Sequence, residues 1–308
     1  MGEALAGFRK SRWFPLVWVI PALLVAFVIV VLLANWLRGL PAIQSFMTDF
    51  PGRSALPESA PVGFPAWLAW QHFLNAFLIL FVIRSGWMIR TTKRPAAYWT
   101  RNNAGLLRTK NPPERISLNH WFHISVDVLW LLNGIVFYIL IFVTGQWMRI
   151  VPVSWDAFPN AVSAGIQYAS LNWPLEMGWV NYNALQTLTY FLTVFIAAPL
   201  AAITGIRMAP GLALRFKRIE KVFPITLARA IHFPVMVYFV AFIVVHVFLV
   251  LTTGAINNLN HMYAVRNDES WWGFWIFVAS IVVMAVAWVA ARPSILSSIA
   301  ALTGKVRR

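Results

Sequence analysis

Six runs of about twenty or more apolar residues divide the chain, and polar and basic residues collect in the loops between them. The runs lie at Phe14–Trp36, Ala66–Ile89, Ile116–Met148, Tyr182–Met208, Ile225–Leu251 and Trp271–Ala291. Roughly 20 residues of helix cross the hydrocarbon core of a bilayer. The pattern therefore predicts an all-α membrane protein with six transmembrane helices. The first run follows Phe8-Arg9-Lys10-Ser11-Arg12 and opens on Phe14-Pro15. A basic start before an apolar stretch also marks signal peptides, but this stretch is too long and no small-residue cleavage site follows it cleanly. It reads as a helix. The proline-rich loop Pro51–Pro65 reads as an exposed connector, and no soluble domain is expected. Residues 1–308 form a single membrane domain on this reading.

Composition agrees with the pattern. Hydrophobic residues make up 60% of the 308 and charged residues 11%, against about 25% charged in soluble domains. So much apolar surface requires lipid as the solvent. There is no cysteine, which excludes disulfides, Fe–S clusters, thiolate haem ligands and covalent c-type haem attachment.

The net charge of +15 raises the question of nucleic acid, but its distribution answers otherwise. Basic residues sit in alternate loops: Arg9, Lys10 and Arg12; Arg90 to Arg115; Arg207 to Arg229; and Arg292 to Arg308. Only Arg38, Arg53, Arg149 and Arg266 fall in the other loops, and Arg84 lies inside a helix. The positive-inside rule then predicts an inner-membrane protein with both termini cytoplasmic. Trp87, Trp99, Trp147, Trp271 and Trp272 fit interfacial aromatic belts.

Six histidines occur: His72, His120, His123, His232, His246 and His261. Ionisable groups inside a membrane are costly and usually functional. A lone one commonly just bonds a neighbouring helix, so the set matters more than any member. His232 and His246 are fourteen residues apart on one helix. At 100° per residue they share a face, roughly 21 Å apart along the axis. That is the arrangement of axial ligands for two haems stacked across a bilayer. His72 enters the second helix at the depth of His246, and His120 and His123 open the third at the depth of His232. His123 sits deeper and is preferred as the ligand, with His120 the alternative. His261, in the loop after the fifth helix, reads as a solvated loop histidine. Arg84, Arg90 and Arg207 lie near helix ends, where one can pair with haem propionates or simply snorkel to the interface.

His72 is followed thirteen residues later by Ser85-Gly86. Tyr182-Asn183-Ala184-Leu185-Gln186 opens the fourth run and Thr204-Gly205 closes it. With the fourteen-residue spacing of His232 and His246, these features resemble the cytochrome b subunits of formate dehydrogenases and NiFe hydrogenases, the bacterial cytochrome b561-like group. The resemblance implies a four-helix di-haem core over residues 66–263, with residues 1–65 and 264–308 as additions. It implies two haem b groups and a quinone (ubiquinone or menaquinone) beside Asn183, Gln186, His72 and His246. An amide pair three apart faces one way on a helix, though Asn183 can also act as a helix cap. The chain departs from the pattern at the third helix, where a glycine usually follows the family histidine by four residues. Here Asp127 follows His123 and Ile124 follows His120, so the choice between them stays open.

The additional first helix turns the core over relative to formate dehydrogenase, with the quinone end periplasmic and the partner end cytoplasmic. The expected function is electron transfer between a quinone pool and a catalytic oxidoreductase subunit of molybdenum or hydrogenase type. The rival reading is a haem-free transporter or anchor that uses intramembrane histidine and Asp127. Paired broken helices of the transporter kind are not evident in the sequence.

Overall fold

A computed structural model of the protein describes residues 14, 16–104, 108–110, 112–173, 178–210 and 217–308. Arg9, Lys10, Arg12, Pro15 and Arg215, used above for orientation and for the start of the first helix, lie outside the described residues. Six helices are long and apolar enough to span a membrane. They are α1 (Leu16–Gly39), α2 (Ala66–Thr91), α3 (Leu118–Val143), α4 (Ala184–Met208), α5 (Ile225–Thr252) and α6 (Trp272–Ala290). Large apolar side chains stand exposed along all of them, as they must where lipid replaces water. The expected all-α membrane fold is present.

The third run is shorter than its hydropathy suggests. α3 ends at Val143, and Gly145 turns into the left-handed region (φ +74°) to start a short 3-10 turn at Gln146–Arg149. Helix α4 is not uniform either. Residues Leu192–Ala197 form a π-helical segment between two α-helical ones. The Tyr138 hydroxyl donates to the Val194 carbonyl within it, and the Thr193 and Tyr238 hydroxyls meet at 2.7 Å. These contacts serve backbone and hydroxyl groups that have no water to turn to at this depth.

Helix α2 packs closely on α3, and α4 on α5. The core is thus two helical hairpins set face to face. Helix α1 stands to one side and packs chiefly on the short helices Pro41–Asp49 and Ala157–Ala169. Asn35 and Arg38 tie it there through hydrogen bonds to Ser170.

Loops close both ends of the bundle. At the His72 end, Gly52 N–H donates to Asn160 Oδ1 (2.9 Å), Ala184 N–H donates to the Gly52 carbonyl and Gly63 N–H donates to the Trp179 carbonyl. The Pro51–Pro65 segment is therefore stitched to two other loops, and Gly52, Gly63 and Phe64 are buried. The connector expected from its prolines is exposed along its middle, at Ala55, Pro57, Glu58, Ser59 and Val62, and packed at Gly52 and at Gly63–Phe64 near its ends. At the His123 end a small antiparallel sheet forms. Strand β1 (Tyr98–Arg101) pairs with β2 (Arg115–Ser117) on one side and β3 (Gly304–Arg307) on the other. Trp99 and its partner Val306 lie on a cluster that includes Phe81, Leu118, Leu296 and Ala300, and Ile116, the other neighbour of Trp99, is buried.

Arg84 occupies an intramembrane position without a carboxylate. Its guanidinium donates to the Trp288 and Ala291 carbonyls (2.5 and 2.9 Å) and lies 4.2 Å from the Trp288 ring centre. It caps the open carbonyls at the end of α6. Arg207 bonds Glu220 and the Phe223 carbonyl. The third arginine considered for propionates, Arg90, stacks 4.0 Å from the ring centre of Phe233, the neighbour of His232 in sequence.

Candidate functional site

The two hairpins bring four histidines together as two pairs. The His72 and His246 rings are 6.3 Å apart between centroids, and those of His123 and His232 are 6.5 Å apart. A metal–nitrogen bond of about 2.0–2.1 Å on each side, plus about 1.1 Å from nitrogen to ring centre, places opposed imidazoles about 6.3 Å apart. Both centroid separations match that of two imidazoles sharing one metal ion. His120 stands apart. It is half-buried in the first turn of α3, its backbone N–H donating to the Ser117 hydroxyl, and no ring contact links it to His232 among the described residues.

The pair at the α3 end is oriented by hydroxyls. Ser85 Oγ lies 2.9 Å from His123 Nδ1, and Thr204 Oγ1 lies 2.8 Å from His232 Nδ1. Each hydroxyl donates to a carbonyl one turn back in its own helix, Phe81 or Leu200. The imidazole Nδ1–H is therefore the donor in each case, and Nε2 is left with its lone pair. Glycine follows both hydroxyl residues. A Cβ would come within 3.3 Å of His123 Cε1 at Gly86 and 3.5 Å of His232 Cε1 at Gly205. The dipeptides Ser85-Gly86 and Thr204-Gly205 do the same local work on opposite hairpins. Asp127 Oδ2 lies 3.4 Å from His123 Nε2.

The other pair lies on a cavity of about 420 Å³. Phe242 stacks on His246 (5.4 Å, 8°), Tyr190 meets its edge (5.9 Å) and Tyr263 stands perpendicular to His72 (5.6 Å). His72 Nδ1 is buried without a hydrogen bond.

Asn183 and Gln186 are both at this end. Asn183 Oδ1 accepts from Gln186 N–H (2.9 Å), and Gln186 Oε1 accepts from Asn183 N–H (3.1 Å). This is a reciprocal capping box at the start of α4. Asn183 is buried and also donates to the Tyr168 hydroxyl. Gln186 lines the cavity, and its Nε2 has no partner among the described residues.

Two residues given no part by sequence reasoning complete this end. His261 is buried rather than solvated, because Asn260–Ala264 forms a π-helical turn that folds it inward. Its Nε2 bonds Asn267 Oδ1 at 2.9 Å, and its ring lies against Trp179 (5.3 Å) and Phe64 (6.1 Å). Burial lowers its pKa, the Asn267 bond raises it and the Arg149 charge lowers it. Arg149 is fully buried. It donates to the Gly63 carbonyl (2.7 Å) and the Gly178 carbonyl, and lies over the Phe64 and Tyr182 rings. Burial lowers its pKa, and Tyr182 partly opposes the shift. As a lone loop arginine it differs in no sequence feature from Arg53.

A family model for prokaryotic cytochrome b561 matches residues 63–264. The chain belongs to the prokaryotic cytochrome b561 family. Neither the curated proteins nor the solved structures give a match. Members of the b561 family are haem b proteins of the membrane, and the side chains here fit such a group. Each pair of imidazoles would hold such a haem through its iron. Among the described residues no group of three or more His, Cys, Asp or Glu side chains is set to hold a metal ion by itself, although Asp127 stands beside the His123–His232 pair. The matched span of this b561 chain runs from beside Phe64 to Ala264 and so includes both histidine pairs, Arg149 and His261.

Proposed function

We propose that this b561-family protein holds two b haems and passes electrons between a quinone pool and a partner oxidoreductase. One haem lies between His72 and His246 and the other between His123 and His232. The observation that carries the reading is the pair of opposed imidazoles at ligating separation, repeated between the same two hairpins. Haem, when bound, supplies the one-electron chemistry. The chain supplies axial nitrogens, a low-dielectric setting and orientation through Ser85 and Thr204, since partners of this second kind fix tautomer and ring direction.

The quinone, ubiquinone or menaquinone, belongs at the His72 end. There Gln186 Nε2 is available to donate to a quinone carbonyl, and Asn183 holds Gln186 in place through the capping box. The distribution of Lys and Arg supports placing this end at the periplasm and both termini in the cytoplasm of an inner-membrane protein. The partner, a molybdenum- or hydrogenase-type catalytic subunit, then meets the His123 end, where the basic loops favour an acidic surface.

The test is a reduced-minus-oxidised spectrum and haem quantitation on the purified chain, followed by reduction with duroquinol. A b-type spectrum with two haems per chain, reducible by the quinol, is expected. A chain purified without haem would return the histidines and Asp127 to an ion- or proton-handling role.

A further inference from the structure

His261 has a feature that the pairs of ligating histidines lack: it connects the cavity to the aqueous face. The ring is buried and lines the cavity with Gln186 and Tyr182. On one side, Nε2 bonds Asn267 Oδ1 at 2.9 Å, and Asn267 is exposed. An amide oxygen only accepts, so this bond fixes the proton on Nε2 and leaves the Nδ1 lone pair free. Nδ1 makes no hydrogen bond among the described residues, and it lies about 4 Å from where a Cβ on the cavity-lining Gly178 would sit. An unpartnered acceptor on a buried, oriented imidazole, at the part of the cavity walled by Gln186 and Tyr182, where a quinone would sit beside the haem that His72 and His246 would hold, is placed for proton transfer.

We propose that His261 is the proton-exchanging residue of this end of the cavity, taking a proton from a hydroquinone hydroxyl at Nδ1 and releasing one from Nε2 past Asn267 to water. The inference rests on the quinone reading above. Oxidation of a hydroquinone breaks two O–H bonds and gives the quinone, two electrons and two protons. The two electrons would go to the haem groups that His72 with His246 and His123 with His232 would hold. The protons pass one at a time through the imidazole: each transfer leaves the Nδ1–H tautomer, and before the next one Nε2 takes a proton from water while Nδ1 gives one up to water, a net-neutral exchange that restores the Nε2–H bond to Asn267. In the reverse direction the same path delivers protons to a quinone being reduced.

The surroundings favour a brief cationic state. Arg149 is the buried charge near the ring and opposes a second one. The other titratable groups around it are Tyr182 and Tyr168 on the cavity wall, Tyr263 and His72 on the membrane side, and Arg266, Asp268 and Glu269 in the loop that carries Asn267. Asp268 is held by Arg266 and Ser270 and does not compete for the proton. Helix α6, packed against this turn, carries no titratable group.

The test uses the full haem-loaded chain in detergent. One readout is stopped-flow haem reduction by duroquinol across pH. The other is binding of the redox-inert analogue 2-heptyl-4-hydroxyquinoline N-oxide, followed by its fluorescence. His261→Ala should keep both haem spectra and slow duroquinol-driven reduction about 100-fold or more, the usual reach of general acid–base catalysis. Added imidazole should restore part of the rate, and analogue binding should lose its pH dependence. A wild-type rate and pH profile in His261→Ala would overturn the proposal. Should that variant lose haem, Asn267→Leu at the exposed end replaces it. Removing a bond that raises the histidine pKa should move the acid limb of the rate to lower pH, and an unmoved limb overturns the proposal equally. Failure of the wild-type chain to bind the analogue or accept electrons from duroquinol overturns the quinone reading itself, an outcome distinct from either variant result.

Discussion

Thr204 and His232 are joined by a 2.8 Å hydrogen bond between Oγ1 and Nδ1, which ties α4 to α5 at the level of the second histidine pair. Ser85 and His123 repeat it between α2 and α3 at 2.9 Å. The same device on both hairpins sets the tautomer of both rings that face each other. Partners of this kind are typically worth about 10–100-fold in metal affinity. Thr204→Val and Ser85→Ala should each weaken haem retention by that order and shift the potential of one haem, the same in both variants. Titration of apo-protein with haemin and a redox titration check this. An effect confined to the His72 site would remove the proposed role of the hydroxyls.

The pairing of the ligands is separable by spectrum. His72→Ala and His246→Ala should lose one and the same haem, and His123→Ala and His232→Ala the other. His120→Ala should keep both, because its ring stands away from His232. Loss of a haem from the His120 variant, with one retained in the His123 variant, would exchange the two roles.

Gln186→Ala removes the donor offered to a quinone carbonyl and half of the capping box. A neutral hydrogen bond is worth about 0.5–1.5 kcal/mol, or roughly a factor of two to ten in affinity. The Km for duroquinol should rise by about that factor while both haem spectra stay intact. An unchanged Km would take Gln186 out of the site.

Arg84→Leu strips the end of α6 of the guanidinium that satisfies the Trp288 and Ala291 carbonyls. Leaving such groups unmet costs about 1–3 kcal/mol. The thermal midpoint followed by tryptophan fluorescence should fall, with haem stoichiometry unchanged in the cold. A midpoint equal to wild type would show that water replaces the arginine.

Gly304→Val adds a side chain where a Cβ already overlaps the Thr100 carbonyl and the Trp99 ring. Strand β3 should detach. Limited proteolysis should then cut within residues 92–117 faster than in wild type, while the haem spectra remain. Equal cutting rates would mean that β1 and β2 hold without it.

The spanning helices and the histidine pairs were legible because both follow from periodicity. Apolar runs mark the helices, and a fourteen-residue interval on one helix sets the spacing of two layers. Ser85-Gly86 and Thr204-Gly205 stood out only as a shared motif. Their work on Nδ1 needed the neighbouring helix. His261 and Arg149 were not legible, since nothing local distinguishes a buried loop histidine or arginine from a solvated one. Burial there comes from segments more than eighty residues apart, Gly63 meeting Arg149 and Phe64 meeting His261. The sheet escaped for a different reason: its strands are three or four residues long, inside basic loops, and too short to show an alternation.

That sheet also imposes an order on biosynthesis. Strand β1 leaves the ribosome between the second and third membrane helices, and the strand that completes its pairing follows the sixth. The segment joining α2 to α3 therefore waits, with one edge unpaired, while four more helices are threaded into the bilayer. Closure of the sheet waits until these four are in place with their ends on the proper sides. A chain in which one of α3–α6 has failed to insert would carry β3 to the side of the membrane opposite β1 and leave that edge open to quality-control proteases.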